Sequence, residues 1–201
     1  MTKVSIIDYG AGNLFSMRNA LLKTGVQVEI VSNKYEVSSS DCLVLPGVGN
    51  FGAAVKKLQP IANALKESVD SGTPILGSCL GMQLMFEESE EDEGEGLGLF
   101  KGVVKGFRGG LKIPHMGWNT IVPRRISPLL DGIPDGSYFY FVHSYYPDPT
   151  NEEDILALTC YGYEFASIVE RGNIFGCQFH PEKSGKLGAL LLSNFIKNIK
   201  R

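Results

Sequence analysis

Residues 75–83 read ILGSCLGMQ, an apolar run that meets glycine, cysteine and glycine at alternate positions before it resumes with Met82 and Gln83. With serine in place of Cys79 this is the G-x-S-x-G nucleophile elbow, a strand-to-helix turn that exposes a reactive side chain. Gly77 and Gly81 leave room for the bend, and Leu80 begins the helix. The elbow therefore predicts a strand over 74–78, a helix over 80–89, and an α/β sheet around them.

The segments upstream fit that reading. KVSIID (3–8) is a short apolar strand that runs into the turn YGAGN, and LFSMRNALLKTG (14–25) carries apolar residues at helical spacing up to Gly25. VQVEIV (26–31) and CLVLPG (42–47) read as further strands, the latter continuous and apolar as buried parallel strands are. AAVKKLQPIANALKESVDSG (53–72) is helical in composition, with an interruption at Pro60. Downstream of Glu95 come strand-like pieces at 98–107, 118–123, 137–146, 155–162, 165–172 and 173–180, expected to add to the central sheet in antiparallel fashion. Residues 186–201 close the chain as an amphipathic helix with basic residues in its last turn. The predicted architecture is a flavodoxin-like open sheet, mostly parallel, with helices on both faces and antiparallel additions in the C-terminal half. No repeat or long linker divides it, so residues 1–201 are expected to form one domain.

Composition narrows the function. At 43% hydrophobic and 20% charged residues the chain reads as a soluble globular protein, and a net charge of −3 argues against a nucleic-acid surface. No apolar run approaches a bilayer span and the N-terminus lacks a signal-peptide pattern, which predicts a cytoplasmic protein without a membrane partner. The four cysteines show neither metal-ligand spacing with the three histidines nor a disulfide framework. Cys42, Cys160 and Cys177 lie in apolar strand-like runs and are expected to be packed inside. The acidic run from Glu87 to Glu95 reads as a solvated loop. GAGNLF (10–15) invites a dinucleotide reading helped by Glu29, but Phe15 stands where the third glycine of that fingerprint must be.

A thiol with an ordinary pKa is mostly protonated at neutral pH, so a nucleophilic cysteine needs a helix terminus and a base. His180, in CQFHPEKS, sits where Pro181 ends a strand, and Glu182 can orient its ring if His-Pro-Glu is extended. Cys79, His180 and Glu182 form the economical triad. His115 and His143 lack an adjacent acid and suit packing or partner contact better. An oxyanion would be met by the Leu80 amide and by a second donor near Val48, in the glycine-rich LPGVGNFG.

Taken together, DYGAGN (8–13), LPGVGNFG (45–52), GSCLGMQLMFEESEE (77–91), PHMGWN (114–119), YFVHSYY (140–146) and QFHPEKSG (178–185) resemble the class I, triad-type glutamine amidotransferases. More narrowly, the chain is similar, end to end, to the glutaminase subunits of imidazole glycerol phosphate synthases. The resemblance implies that glutamine is hydrolysed to glutamate and ammonia, with Gly49, Gln83, Glu91, Ser144 and Tyr145 holding the substrate and no cofactor or metal. It implies a (β/α)₈-barrel cyclase as partner in a heterodimer. That cyclase would use the ammonia to make imidazole glycerol phosphate and aminoimidazole carboxamide ribotide. Asn13, Trp118, Tyr140 and Lys183 match the docking face, with a core-aromatic role as the lesser alternative for Trp118 and Tyr140. The competing readings are a glutaminase serving another synthase, a non-catalytic regulatory subunit of the same fold, and a cysteine hydrolase or redox sensor using the elbow alone.

Overall fold

The computed structural model describes residues 3–198. Its first half runs β1 (Lys3–Ile7), α1 (Leu14–Leu22), β2 (Gln27–Val31), α2 (Lys34–Ser38), β3 (Cys42–Leu45), α3 (Phe51–Asp70), β4 (Ile75–Ser78) and α4 (Leu80–Gln83). The second half adds β5 (Glu88–Ser89), β6 (Gly102–Gly106), β7 (His115–Thr120), β8 (Val122–Pro123), β9 (Tyr138–His143) and β10 (Tyr145–Pro149). It closes with β11 (Ile155–Tyr161), β12 (Tyr163–Arg171), β13 (Ile174–Cys177) and α5 (Gly185–Asn198). The main sheet has the order β2-β1-β3-β4-β13-β12-β11-β8. Its first five strands are parallel and follow the flavodoxin-like winding expected from the sequence.

Alternation along the strands builds a core on each face. Val4, Ile6, Cys42, Val44 and Leu76 point towards α1 and α5, where they meet Met17, Leu21, Leu191 and Phe195. Ile7, Leu43, Leu45 and Ile75 point the other way, onto Phe51, Leu58, Ile61 and Leu65 of α3. Each of these larger side chains contributes about 1.5–3 kcal/mol on burial. No helix among the described residues is long and apolar enough to cross a membrane.

Several expectations change. The helix over 53–72 begins earlier, at Phe51, and passes through Pro60 without a break. Pro60 and Lys56 both face solvent, so water can take the carbonyl that the missing N–H leaves open. A short helix, α2, stands between β2 and β3, where no helix was expected. The helix after the elbow stops at Gln83 rather than Ser89, because Leu97, Gly98 and Phe100 donate to the carbonyls of Leu84, Phe86 and Met85 that a longer helix would need.

The C-terminal pieces do not all join the central sheet. β5, β6 and β10 make a three-stranded sheet, and β7 with β9 a two-stranded one. Within the main sheet, β8, β11 and β12 are the antiparallel additions, whereas β13 lies parallel to β4. Cys42 and Cys177 are buried as expected, but Cys160 is exposed. After a register irregularity in β11, Thr159 takes the inward position beside it. The final helix reaches Asn198 with Lys197 in its last turn; the expectation for residues 199–201 lies outside the described residues.

Candidate active site

β4 and β13 are neighbours in parallel register, with Ser78 opposite Cys177. Cys79 and His180 therefore stand just beyond the carboxyl ends of adjacent strands, a hundred residues apart in sequence and side by side in the fold. Cys79 has φ 52° and ψ −115°, and it is the one non-glycine residue with positive φ among the described residues. Such a conformation costs about 1–3 kcal/mol and persists only where its surroundings enforce it. The flanking glycines contribute close approach. A Cβ on Gly81 would run into the Leu45 carbonyl, and one on Gly77 would lie 2.7 Å from the Gly81 carbonyl oxygen. The bend itself is carried by the cysteine. The Cys79 amide donates to Cys177 at 2.8 Å, and its carbonyl accepts from Gln83 at 3.1 Å, opening α4. The Leu80 amide, at the first helical position, has no acceptor within the helix.

His180 is held by its own amide, which donates to the Tyr140 carbonyl at 2.9 Å. Its Nδ1 lies 2.9 Å from Glu182 Oε1, with both side chains at most 3% exposed. Residues 181–183 form a 3-10 turn, so Glu182 comes round by a tight turn rather than along an extended His-Pro-Glu. Nδ1–H donates to the carboxylate, which leaves Nε2 to exchange a proton elsewhere. Neither that Nε2 nor Glu182 Oε2 has a hydrogen-bond partner among the described residues. Burial pulls the His180 pKa down, but the neighbouring Cys79 sulfur and the hydrogen-bonded Glu182 carboxylate outweigh it and push the pKa up to about 9. His180 is thus built to hold a proton.

A cleft of about 350 Å³ opens over these groups. Cys79, Leu80, Gln83 and His180 form one side of it, Val48 and Gly49 of the loop after β3 another. Glu91, Ser144 and Tyr145 line it as well, together with Pro114, Val142 and His143, so the positions that the sequence suggested for nucleophile, base, oxyanion and substrate converge on one cavity, with Glu182 behind His180. Gly49 has φ 112°, a conformation that favours glycine, and Val48 beside it is 43% exposed. The Tyr9 hydroxyl anchors this loop by donating to the Pro46 carbonyl at 2.9 Å.

The acidic run is not simply solvated. Glu91 Oε2 accepts from the Phe51 amide at 2.8 Å, supporting the start of α3, where Asn50 caps the Ala53 amide. Glu87 and Glu90 accept from the amides of Gly102 and Gly106. A larger hollow beside this run, about 1000 Å³, is walled mainly by exposed carboxylates and holds neither nucleophile nor base.

The other two histidines are internal. His143 Nδ1 faces the Tyr145 carbonyl at 2.8 Å, so it carries the proton and its Nε2 accepts. His115 Nδ1 donates to that Nε2 at 2.9 Å, and Asn119 Nδ2 to His115 Nε2 at 3.2 Å. Burial drives their pKa values down to about 4 for His115 and about 3 for His143. Both are packing residues, and neutral. On the outer surface of β7 and β9, Trp118 packs edge-on against Tyr140 with ring centres 6.0 Å apart, and Lys183 Nζ lies 6.0 Å from the Tyr140 ring. Trp118 is 55% exposed and so is no core aromatic; Tyr140 is half-buried and Asn13 caps α1 from an exposed position. One residue near the sulfur escaped sequence analysis. Gln178 is wholly buried, with Nε2 3.7 Å from Cys79 Sγ. Its one sequence signal is a polar residue between two apolar neighbours at the end of a buried strand.

Comparison with known proteins identifies the family and the fold. The family model described as glutamine amidotransferase class-I matches residues 5–199. The chain is 48% identical to imidazole glycerol phosphate synthase subunit HisH of Methanocaldococcus jannaschii over 96% of its length and 98% of the relative's. It is 49% identical to the subunit of the same name from Pyrococcus furiosus, covering 97% of this chain and 98% of that one. Among solved structures, PurLQS from Thermotoga maritima superposes with a TM-score of 0.79 at 17% identity, covering 98% of both chains. At that identity the likeness is one of fold.

Proposed function

Because this chain belongs to the class-I glutamine amidotransferases and, within them, groups with the HisH subunits of imidazole glycerol phosphate synthase, we propose that its cleft hydrolyses glutamine to glutamate and ammonia for histidine biosynthesis. The observation that carries the reading is Cys79 and His180 at neighbouring strand ends on one cleft, with Glu182 held behind His180.

Glutamine enters with its side-chain amide over Cys79. Glu91 commits one carboxylate oxygen to the Phe51 amide and has the other for the substrate's α-ammonium group. Gly49, Gln83, Ser144 and Tyr145 frame the rest of the molecule. His180 Nε2 takes the thiol proton before attack, as its raised pKa requires, so the sulfur reaches the amide carbon as a thiolate while Glu182 stabilises the imidazolium. The negative charge that develops on oxygen is met by the Leu80 and Val48 amides; losing one such donor costs about 2.7–4 kcal/mol in comparable sites. The imidazolium then protonates the departing nitrogen, ammonia leaves, and a thioester remains. Water, deprotonated by His180, releases glutamate and restores the thiol.

Free ammonia is largely protonated in neutral water and then cannot act as a nucleophile, so the product must pass to a partner without mixing with solvent. A cyclase fills that role, and we assign it a (β/α)₈ barrel docked as a heterodimer through Asn13, Trp118, Tyr140 and Lys183. Exposed apolar side chains at Phe15, Met116 and Trp118 support this face. The cyclase would convert its ribotide substrate to imidazole glycerol phosphate and aminoimidazole carboxamide ribotide. We take residues 1–201 as one amidotransferase unit. Glutamine use alone is expected to be slow, because Val48 lies in an exposed, glycine-flanked loop whose amide turns to the oxyanion only with the partner and its ribotide in place.

The experiment is ammonia release from glutamine by the chain alone and with a cyclase subunit plus its ribotide, using Cys79→Ala as control. Release that rises with the cyclase and vanishes in the variant is expected. Equal rates with and without the cyclase overturn the loop reading, and release that survives Cys79→Ala overturns the triad.

A further inference from the structure

We propose that Gln178 is a further catalytic residue, its buried side-chain amide donating a hydrogen bond to the Cys79 sulfur and stabilising the thiolate, with Gln83 as the positioning residue that aims it. The proposal deepens the glutaminase reading and rests on it for the role of the sulfur.

The orientation of the amide follows from an acceptor whose identity is fixed. The Tyr145 backbone carbonyl can only accept, and Gln83 Nε2 lies 2.8 Å from it, so the amino end of Gln83 points there. The same amino group lies 3.2 Å from Gln178 Oε1, which must then be an oxygen. The far end of Gln178 is consequently its amino group, and it faces Sγ at 3.7 Å, within reach for sulfur. The Tyr145 carbonyl is itself held by His143 Nδ1 at 2.8 Å. A chain of donors thus starts at Asn119 and runs through His115 and His143 to that carbonyl, while Gln83 and Gln178 run from it to the sulfur.

Packing alone does not account for an amide here. Gln178 is 0% exposed, between Cys177 and Phe179, which are also 0% exposed. Burying an amide costs more than burying a hydrocarbon of the same shape unless each polar group is used, and both ends of this one are used. It lies behind the sulfur and outside the cleft wall, so it touches the nucleophile and not the substrate. The Val142 carbonyl, 3.8 Å from Sγ, favours the thiol. Gln178 supplies the opposing preference. The ionisable groups around the sulfur are His180 with Glu182 beyond the end of β13, Cys177 within it, His143 on β9 and Tyr9 beyond β1. All of them persist when Gln178 alone is changed.

The test is the pH dependence of Cys79 alkylation by iodoacetamide in the 201-residue chain carrying Cys160→Ser, which removes the exposed thiol and leaves Cys42 and Cys177 buried. Gln178→Met keeps length without a donor. Its inflection is expected to rise by about one pH unit, a roughly tenfold loss of thiolate at a fixed pH below it. Gln178→Glu keeps the acceptor towards Gln83 but turns an oxygen to the sulfur, and its inflection is expected to rise further. With glutamine, kcat should fall and KM stay within about twofold. An inflection unchanged in folded Gln178→Met, or in Gln178→Glu should the methionine variant not fold, overturns the proposal. Iodoacetamide requires no glutaminase chemistry, so a shifted inflection in a chain that fails to release ammonia with its cyclase would retain the donor and reject the glutaminase reading.

Discussion

Replacing Glu182 by Gln removes one negative charge from a buried pair while keeping its shape. In the folded chain His180 is raised to about 9, against about 6.5 in an unfolded one. That gap corresponds to about 3 kcal/mol of stability. Its sign follows from a raised folded value: the stabilisation is fully present below pH 6.5 and is lost as the pH climbs through 9. Cys79 and Glu182 both raise the value, against burial, so the variant should lose only the share of the carboxylate, about 1–2 kcal/mol for a charge-assisted hydrogen bond turned neutral. Urea unfolding of both proteins at pH 6.0, 7.5 and 9.5 measures this. The wild-type advantage should be greatest at pH 6.0 and shrink by pH 9.5. Ammonia release by the variant should fall by a factor on the order of 10²–10⁴, the range of general acid–base catalysis. A stability difference that is constant across the three pH values would refute the assignment of the His180 proton to the Glu182 pair.

Gly81→Ala should cost about 3 kcal/mol or more and abolish alkylation of Cys79 at its wild-type rate, since its Cβ has nowhere to go but into the Leu45 carbonyl; thermal unfolding and iodoacetamide kinetics check both. Trp118→Ala should leave the melting temperature of the isolated chain nearly unchanged, because the side chain is 55% exposed, yet weaken cyclase binding by about 2 kcal/mol, roughly 30-fold in Kd by calorimetric titration. His115 and His143, held down to about 4 and 3, should show no ring-nitrogen titration by NMR between pH 5 and 8. For the same reason they withdraw stability as the pH falls below 6.5, where only the unfolded chain gains their protons.

The sequence made much of the parallel half of the fold legible because strands such as β3 and β4 are short apolar runs next to a proline. It made the proximity of Cys79 and His180 legible because both sit at strand ends punctuated by turn residues. The partners of the later strands were not legible: 98–107 and 137–146 read as additions to the central sheet, but which sheet they join depends on distant pairings such as Tyr146 with Lys105 and Tyr140 with Trp118. Helix length after the elbow was misread for a related reason, since the carbonyls of residues 84–86 are claimed by residues 97–100. Pro60 failed as a breaker because its exposure lets solvent replace the lost bond. Gln178 went unnoticed since one polar letter in an apolar run carries no direction until the sulfur is placed beside it.

The pairing of Ile75 with Ile174 has a cost during synthesis. Translation proceeds at roughly 5–20 residues per second, so the nascent chain spends on the order of 5–20 seconds with one flank of β4 open. For that interval an apolar ribbon of unpaired amides and carbonyls is available to any stray strand, including the same segment on a neighbouring ribosome. The growing polypeptide is therefore most vulnerable to clumping when it is about half made, and it cannot consume glutamine until its last strand closes that gap.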